Sequence, residues 1–339
     1  MTSIDDIQAG VSSQPGRVVL PESFDDRILR AAERLAEDGT IRPVLVGARG
    51  ELKRAAAAVG VALDKVDVVD PDEGDVLERY AECYARGRPR TNAGMARRLL
   101  KRPLYFGAMM VKVGDAEAML GGVANPTRRV IEAGLLTVGL AQGITTPSSF
   151  FLMLVPGFRG QETARLIFAD CAVNIDPDAE DLAAIALASA NSARRLLDEE
   201  PRVALLSFST HDSARHPAAD KIKKALAVAR ARAPGLAIDG ELQADAALIP
   251  QIAARKVFRE SSVAGLANVL VFPDLNAGNI AYKLLQHLGG ATALGPVLQG
   301  FDRPLADLSR GAHVEDVIST ARIVLAMGQD TGRDSGRPF

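Results

Sequence analysis

The chain has 339 residues, long enough for two domains of ordinary size. Its composition, 47% apolar and 24% charged, is that of a globular protein able to bury sizeable cores. Forty basic against 42 acidic residues leave a formal net charge of −2, which excludes a global electrostatic argument for nucleic acid as a partner.

In chain order, MTSIDDIQAG (1–10) carries acids and no apolar stretch, so no secretory signal is read there. Short β-branched runs then alternate with helical patterns almost from end to end. RVVL (17–20) reads as a strand and precedes a helix in which Ile28, Leu29, Ala32, Leu35 and Ala36 share one face. PVLVG (43–47) and VDVVD (66–70) repeat the strand theme, each followed by helix formers. These runs lack strict alternation, as expected of strands buried on both faces. Near Gly143 the character changes: 144–149 is loop-like, and FFLMLVPGFRGQETARLIFAD (150–170) reads as two apolar strands about a Pro-Gly turn. A second series follows, with VALLSFS (203–209), a helix rich in Lys and Ala, LAID (236–239) and NVLVF (268–272). The last is read as a strand ending at Pro273 and Asp274, then a small-residue loop with Asn276, Gly278 and Asn279, then a helix. Strand–helix alternation implies right-handed crossovers, so the expected class is α/β with largely parallel sheets. No internal repeat is apparent, and QDTGRDSGRPF (329–339) reads as a frayed tail.

Several chemistries lose support by what is missing. No GxGxxG follows the first strand and no GxxxxGK[ST] occurs, against dinucleotide and P-loop sites. His211, His216, His287 and His313 lack HExxH or paired ligand spacing and read as surface or cap residues, so no metal site is expected. There is no GxSxG elbow for a hydrolase serine. Cys83 and Cys171 form no CxxC, which fits a reducing compartment. No apolar run approaches the ~20 residues that span a bilayer. A cytoplasmic protein without membrane contact is expected.

The positive signal lies in four pieces: DGELQADAALIP (239–250), NVLVFPDLNAGNIAYKLLQ (268–286), GPVLQG (295–300) and DLSRGAHVED (307–316). In open α/β sheets, ligands sit outside the carboxyl ends of strands, where such loops expose backbone N–H groups. Taken alone, Ser309 reads as a loop or cap residue, and Glu315 and Asp316 as acids favoured near a helix start. In this order and spacing, the pieces resemble the signature of the phosphate acetyltransferase (phosphotransacetylase) family. The resemblance covers residues 17–327, nearly the whole chain.

The resemblance implies two three-layer α/β/α domains with an interdomain cleft, as in the isocitrate and isopropylmalate dehydrogenases. It makes the first domain discontinuous, 1–143 plus 296–339, around a second domain, 144–295. The implied reaction is acetyl-CoA plus phosphate to acetyl phosphate plus coenzyme A, reversibly, by direct attack in a ternary complex. Coenzyme A is then a substrate, no cofactor is permanently bound, no metal or covalent intermediate is implied, and the assembly is a homodimer. Asp316 is implied as the base that takes the thiol proton, with Arg310 and Ser309 stabilising the oxyanion and orienting the acyl phosphate.

The chemistry suits these residue types. Thiolate attack on an acyl phosphate builds negative charge on the carbonyl oxygen, where fixed donors act most strongly. A free Asp titrates near about 3.9 and a thiol near about 8.5, so complete proton transfer costs roughly 6 kcal/mol. Burial of Asp316 or transfer concerted with C–S bond formation would lower that cost. A close Arg310 would work against the first route, so its guanidinium is expected to face substrate.

Phosphate needs cations. Arg86, Arg88, Arg90, Arg97, Arg98, Lys101 and Arg102 form a run without an acid, which reads as a solvated face. It also resembles the family segment with a phosphate-binding Arg ahead of PLYFGAMMV (103–111), and Arg86 is taken for that role before its neighbours. The family often carries another Arg in H-[ST]-T-A-D-T-x-R-P after the glycines matching Gly121 and Gly122. This chain reads GGVANPTRRVIEAG there, with Ile131 at that position. Arg128, one helical turn earlier, and Arg129, through a short deletion, remain alternative substitutes. Asn174, Ser207, Ser209, Asp274 and Asn276 fall at strand ends or strand–helix connections, as turn formation alone would place them. The resemblance makes Asn174, Ser207 and Asn276 substrate-pocket residues and Gly278 a backbone-geometry residue. Two other readings stay open: a longer-chain acyltransferase such as a butyryltransferase, and a non-catalytic acyl-CoA-sensing domain of the same fold.

Overall fold

The computed structural model describes residues 15–86 and 88–328; the acidic start and the 329–339 stretch lie outside the described residues. Chain contacts divide the protein into two compact units. One comprises the described residues up to Gly143 and again from Phe301, and the other is Ile144–Gly300.

The first unit begins with β1 (Gly16–Leu20), α1 (Asp26–Asp38), β2 (Ile41–Val46), α2 (Arg49–Ala58) and β3 (Asp67–Val69). It continues through α3 (Val76–Ala85), α4 (Ala93–Leu100), α5 (Pro103–Val113), β4 (Ala118–Gly121) and α6 (Thr127–Thr137). The second unit holds β5 (Ser148–Pro156), β6 (Thr163–Ala169), α7 (Ala179–Leu196), β7 (Arg202–Leu206), α8 (Pro217–Arg232) and β8 (Ala237–Leu242). It is completed by α9 (Ala244–Leu248), α10 (Pro250–Lys256), β9 (Val269–Val271), α11 (Leu275–Leu288) and β10 (Thr292–Gln299). The chain then returns to the first unit as β11 (Leu305–Asp307) and α12 (Val314–Gly328).

In the first unit the strands run parallel in the order β3-β2-β1-β4-β11. Helices cover both faces, because alternate residues of a strand point to opposite sides. Gly16 abuts Leu325 of α12, whereas Val19, on the other face, abuts Gly107 of α5. That double burial explains the apolar stretches 18–20 of β1, 43–46 of β2 and 118–120 of β4. Helix α1 shows how locally the sequence dictates an element. Asp25 caps it by accepting from the Arg27 N–H, Gly39 ends it at φ 68, and Ile28, Leu29, Ala32 and Leu35 form its buried stripe. Each fully buried Leu or Ile of that stripe contributes roughly 1.5–3 kcal/mol.

The second unit has the strand order β10-β5-β6-β9-β7-β8. The expected pair of apolar strands is the β5–β6 hairpin, registered from Phe150↔Ala169 to Pro156↔Thr163 and turned at Gly157. Strand β5 runs against both neighbours, while β6, β9, β7 and β8 are parallel. Its core includes Phe151, Met153, Phe168, Leu270 and Phe272, with Tyr282 of α11 stacked on Phe151 at 4.2 Å. One expectation is corrected here. Asn276, Gly278 and Asn279 are not in a loop but in the first two turns of α11. The Asp274 carboxylate accepts from Ala277 N–H at 2.9 Å, so the helix starts directly after the Pro273-Asp274 step.

Candidate active site

Strand β11 delivers DLSRG to the carboxyl end of the first unit's sheet. Asp307 and Leu308 are buried, whereas Ser309, Arg310 and Gly311 are exposed. The turn is pinned from below by Arg27, in the first turn of α1. Arg27 Nη1 donates to the carbonyl oxygens of Arg310 (2.7 Å) and Ala312 (2.9 Å), and Nη2 to that of Val123 (3.1 Å). Its Nε and Nη2 also form a two-pronged pair with Asp25, at 2.9 and 2.8 Å. The guanidinium fork is thereby used in full, and it holds the Asp25 carboxyl below the usual carboxylate range. The main chain of Arg310 is fixed, yet no described residue hydrogen-bonds its guanidinium. Ser309 Oγ accepts from Gly311 N–H at 3.3 Å, and its own proton stays available.

Asp316 lies in the first turn of α12. Its Oδ2 accepts from the His313 N–H at 2.8 Å, meeting one of the donors that a helix start leaves free. Oδ1 has no partner among the described residues. Beside it, Glu315 pairs with Arg34 of α1 (Nη2–Oε2 3.0 Å), which pulls the Glu315 carboxyl down and ties the two helices together.

Under the turn sit two acids that sequence reasoning did not single out. Glu22 follows β1 and accepts from Val123 N–H (2.7 Å), Ala124 N–H (3.1 Å) and Asn125 Nδ2 (2.7 Å). Asp307, 2% exposed, accepts from Thr127 Oγ1 at 2.5 Å through Oδ2, and its Oδ1 has no partner. Burial pushes the Asp307 carboxyl up to about 7, and the charge of Glu22 adds to the shift. Gly122, at φ 109, lets the β4–α6 connection run against Asp307. A Cβ there would fall 2.2 Å from Asp307 Oδ1 and 2.5 Å from Leu308 N. A cavity of about 550 Å³ opens beside this cluster. Phe24, Pro103, Leu104 and Tyr105 supply its apolar wall, and Glu22, Asp25, Arg102 and Asn125 its polar groups. Arg102 lies over the Tyr105 ring at 4.4 Å.

The basic run divides by partner. Arg97 meets Glu78 at 3.4 Å and Lys101 meets Asp72 at 2.7 Å, as on a solvated face. Arg88 donates to the carbonyls of Tyr84 (2.7 Å) and Leu136 (2.9 Å) and stacks on Tyr84. Arg86 is exposed just after α3, and its guanidinium has no partner among the described residues. Arg129 is committed to Glu132 at 3.0 Å, one turn along α6. Arg128, next to Thr127 at the same helix start, has no described partner. That start has no side-chain cap, since Pro126 occupies the N-cap position.

In the second unit, Asp170 gathers the loop after β6. It accepts from Ser149 Oγ, from the N–H groups of Ala172 (3.0 Å), Val173 (3.2 Å) and Asn174 (2.9 Å), and from Asn174 Nδ2 (2.6 Å). Asn174 Nδ2 also donates to the Pro147 carbonyl at 3.0 Å, so both amide protons staple the loop. Ser207 Oγ accepts from Ser209 N–H at 3.2 Å, and Asn276 is exposed in the first turn of α11. Gly278 is needed for close approach: a Cβ would fall 2.4 Å from the Asp170 carbonyl oxygen. The histidine expectation is corrected for His211. Its side chain is 9% exposed and lies 3.3 Å from Asp239, drawn in by a left-handed backbone at φ 43. His216 does cap α8. Among the described residues no cluster of His, Cys, Asp or Glu is arranged to hold a metal ion.

Sequence reasoning missed Glu22, Arg27, Thr127 and Asp307. The signals available were the Asp25-x-Arg27 cap at the head of α1 and the leading Asp of DLSRG itself. Comparison with known proteins fits this geometry. The phosphate acetyl/butaryl transferase family matches residues 2–325. The phosphate acetyltransferase of Thermoanaerobacterium thermosaccharolyticum is 41% identical over 331 residues, covering 97% of this chain and 100% of its own. That of Paracoccus denitrificans is 42% identical over 325 residues, covering 95% and 98%. Among solved structures, a phosphotransacetylase from Staphylococcus aureus superposes with a TM-score of 0.89 at 34% identity, covering 96% of this chain and 98% of its own. One from Streptococcus pyogenes gives 0.87 at 38% identity, covering 96% and 97%.

Proposed function

The chain belongs to the phosphate acetyl/butaryl transferase family, and we propose that it acts as a phosphate acetyltransferase, moving an acetyl group reversibly between coenzyme A and inorganic phosphate. The observation that carries the reading is the DLSRG turn. Arg27 fixes the backbone of Arg310 and Ala312, and no described residue hydrogen-bonds the Arg310 guanidinium on that fixed stem. In the proposed reaction the coenzyme A sulfur attacks the carbonyl carbon of acetyl phosphate, the C–O bond to phosphate breaks, and phosphate leaves. Arg310 and the Ser309 hydroxyl stabilise charge on the carbonyl oxygen without reorganising first. Asp316 receives the thiol proton on Oδ1, since Oδ2 holds the helix start. Arg128 is the better candidate for the phosphate contact, because Arg129 already serves Glu132. Arg86 supports it as a second unpaired cation. Within the second unit, Asn174, Ser207 and Asn276 are proposed as substrate-contacting residues, and Gly278 as the residue that lets α11 approach Asp170.

A cytoplasmic homodimer is part of the proposal. No helix among the described residues is long and apolar enough to cross a membrane, and the two cysteines are unpaired. Ile280, Leu284 and Leu288 of α11 are 56%, 52% and 82% exposed at one-turn spacing, an apolar stripe suited to a second copy. Leu284→Asp is then expected to yield monomers by light scattering, and an unchanged mass would count against that interface. The activity is tested by following acetyl phosphate formation from acetyl-CoA and from butyryl-CoA, with and without phosphate. Phosphate-dependent turnover favouring acetyl-CoA supports the reading; turnover only with butyryl-CoA, or none with either, overturns it.

A further inference from the structure

Asp307 is a buried acid that no step of the acyl transfer uses. It ends β11, two residues ahead of Ser309, in register with Gly121 at the end of β4. Three stretches of chain converge on its carboxyl group. Thr127, the first residue of α6, donates to Oδ2 at 2.5 Å. Gly122 presses its bare Cα toward Oδ1, and Leu308 begins the exposed turn. The Asp307–Thr127 bond therefore joins the helix start that carries Arg128 to the loop that carries Ser309 and Arg310.

We propose that Asp307 is a positioning residue for the reaction, fixing the first turn of α6 against the Ser309–Arg310 loop through Thr127. The proposal rests on the acyl-transfer reading and deepens it. A carboxyl group at this joint also makes it proton-linked. The charged group that acts on Asp307 is Glu22, from the β1–α1 connection; α6 presents the neutral hydroxyl of Thr127, and β4 presents glycines. Glu22 takes its donors from Val123, Ala124 and Asn125, whereas Asp307 Oδ1 has none. Burial first, and then the charge of Glu22, raise the Asp307 carboxyl to about 7, against the Thr127 hydrogen bond, which favours the ionised form; above that pH its ionisation sets two buried carboxylates against each other and loosens the joint.

The test uses Thr127→Val, Thr127→Ser and Asp307→Asn, with kcat and KM measured from pH 6 to 8.5 and amide hydrogen exchange followed at Leu308 and Gly311. Thr127→Val should lower kcat at least tenfold with KM for acetyl-CoA within about threefold, and should speed exchange in the turn; Thr127→Ser should restore both. Asp307→Asn keeps an acceptor for Thr127 and cannot ionise, so its kcat relative to the wild type should rise several-fold between pH 6 and 8.5. A Thr127→Val enzyme with wild-type kcat, even one of lowered melting temperature, overturns the proposal. So does an Asp307→Asn profile parallel to the wild type. A wild-type chain that forms no acetyl phosphate sinks the acyl-transfer reading instead, while exchange in Thr127→Val against Thr127→Ser still decides whether the joint exists.

Discussion

Arg129 holds the Glu132 carboxylate at 3.0 Å one turn along α6, while its neighbour Arg128 holds nothing among the described residues. The pair is exposed at 40% and 42%, so it contributes little to stability. Of two adjacent arginines that the sequence left equivalent, one is therefore occupied and the other is free for an anion. Arg128→Ala is expected to raise KM for phosphate by roughly 10- to 150-fold, the worth of a charge-assisted hydrogen bond, with little change for acetyl-CoA. Arg129→Ala should stay within about twofold on both. A phosphate titration of the two variants separates them, and equal behaviour would remove Arg128 from the clamp.

Asp316→Asn is an unusually clean substitution here. An Asn side chain still offers an oxygen to the His313 N–H, so the start of α12 should survive. What is lost is a group that can take a proton. Turnover should fall by orders of magnitude with substrate KM values within a few-fold, and circular dichroism should be unchanged. Near-normal turnover in the folded variant would leave Asp316 as a helix cap and nothing more.

Arg27→Lys probes the support beneath the turn. Lysine keeps the charge but offers one ammonium in place of a planar fork, and it cannot serve Asp25, Val123, Arg310 and Ala312 together. Two or three lost contacts of about 1 kcal/mol each predict a kcat roughly 30- to 150-fold lower, with KM for acetyl-CoA changed far less. A Lys variant as fast as the wild type would show that the turn holds its shape without the fork.

How much of this was legible in the sequence follows from the range of each interaction. The α1 stripe, the Gly39 stop and the β5–β6 hairpin depend on neighbours a few residues away, and the pattern displays them. The DLSRG turn was visible because its residues are contiguous. Arg27 was not, because its partners lie 96, 283 and 285 residues away and its own surroundings read only as a helix start. Glu22 and Asp307 meet only because β1, β4 and β11 pack side by side, an order that chain sequence does not display. Asn276 and Gly278 were misplaced into a loop for a local reason: small polar residues suggest a turn, and the Asp274 cap that makes them helical is a single side-chain bond.

The buried Asp307 carboxyl also makes a prediction about stability that requires no turnover at all. Its folded-state value is raised from 3.8 to about 7, chiefly by burial. Between those limits the folded protein binds a proton there that the unfolded chain has released. Stability from this group is therefore fully present below about pH 4 and is lost as pH rises through about 7. A shift of that size corresponds to on the order of 4 kcal/mol across the window. The carboxyls of Asp25 and Glu315 are shifted the opposite way, so their contributions fall off at lower pH and are shared by wild type and variant. The difference between the two proteins isolates Asp307. Urea unfolding of wild type and Asp307→Asn at intervals from pH 4.5 to 8.5 should show the variant gaining steadily on the wild type, with the gain levelling off above pH 7.5. Parallel curves would mean that Asp307 is ionised in the folded protein across the whole range, and that the Thr127 hydroxyl suffices to hold its charge.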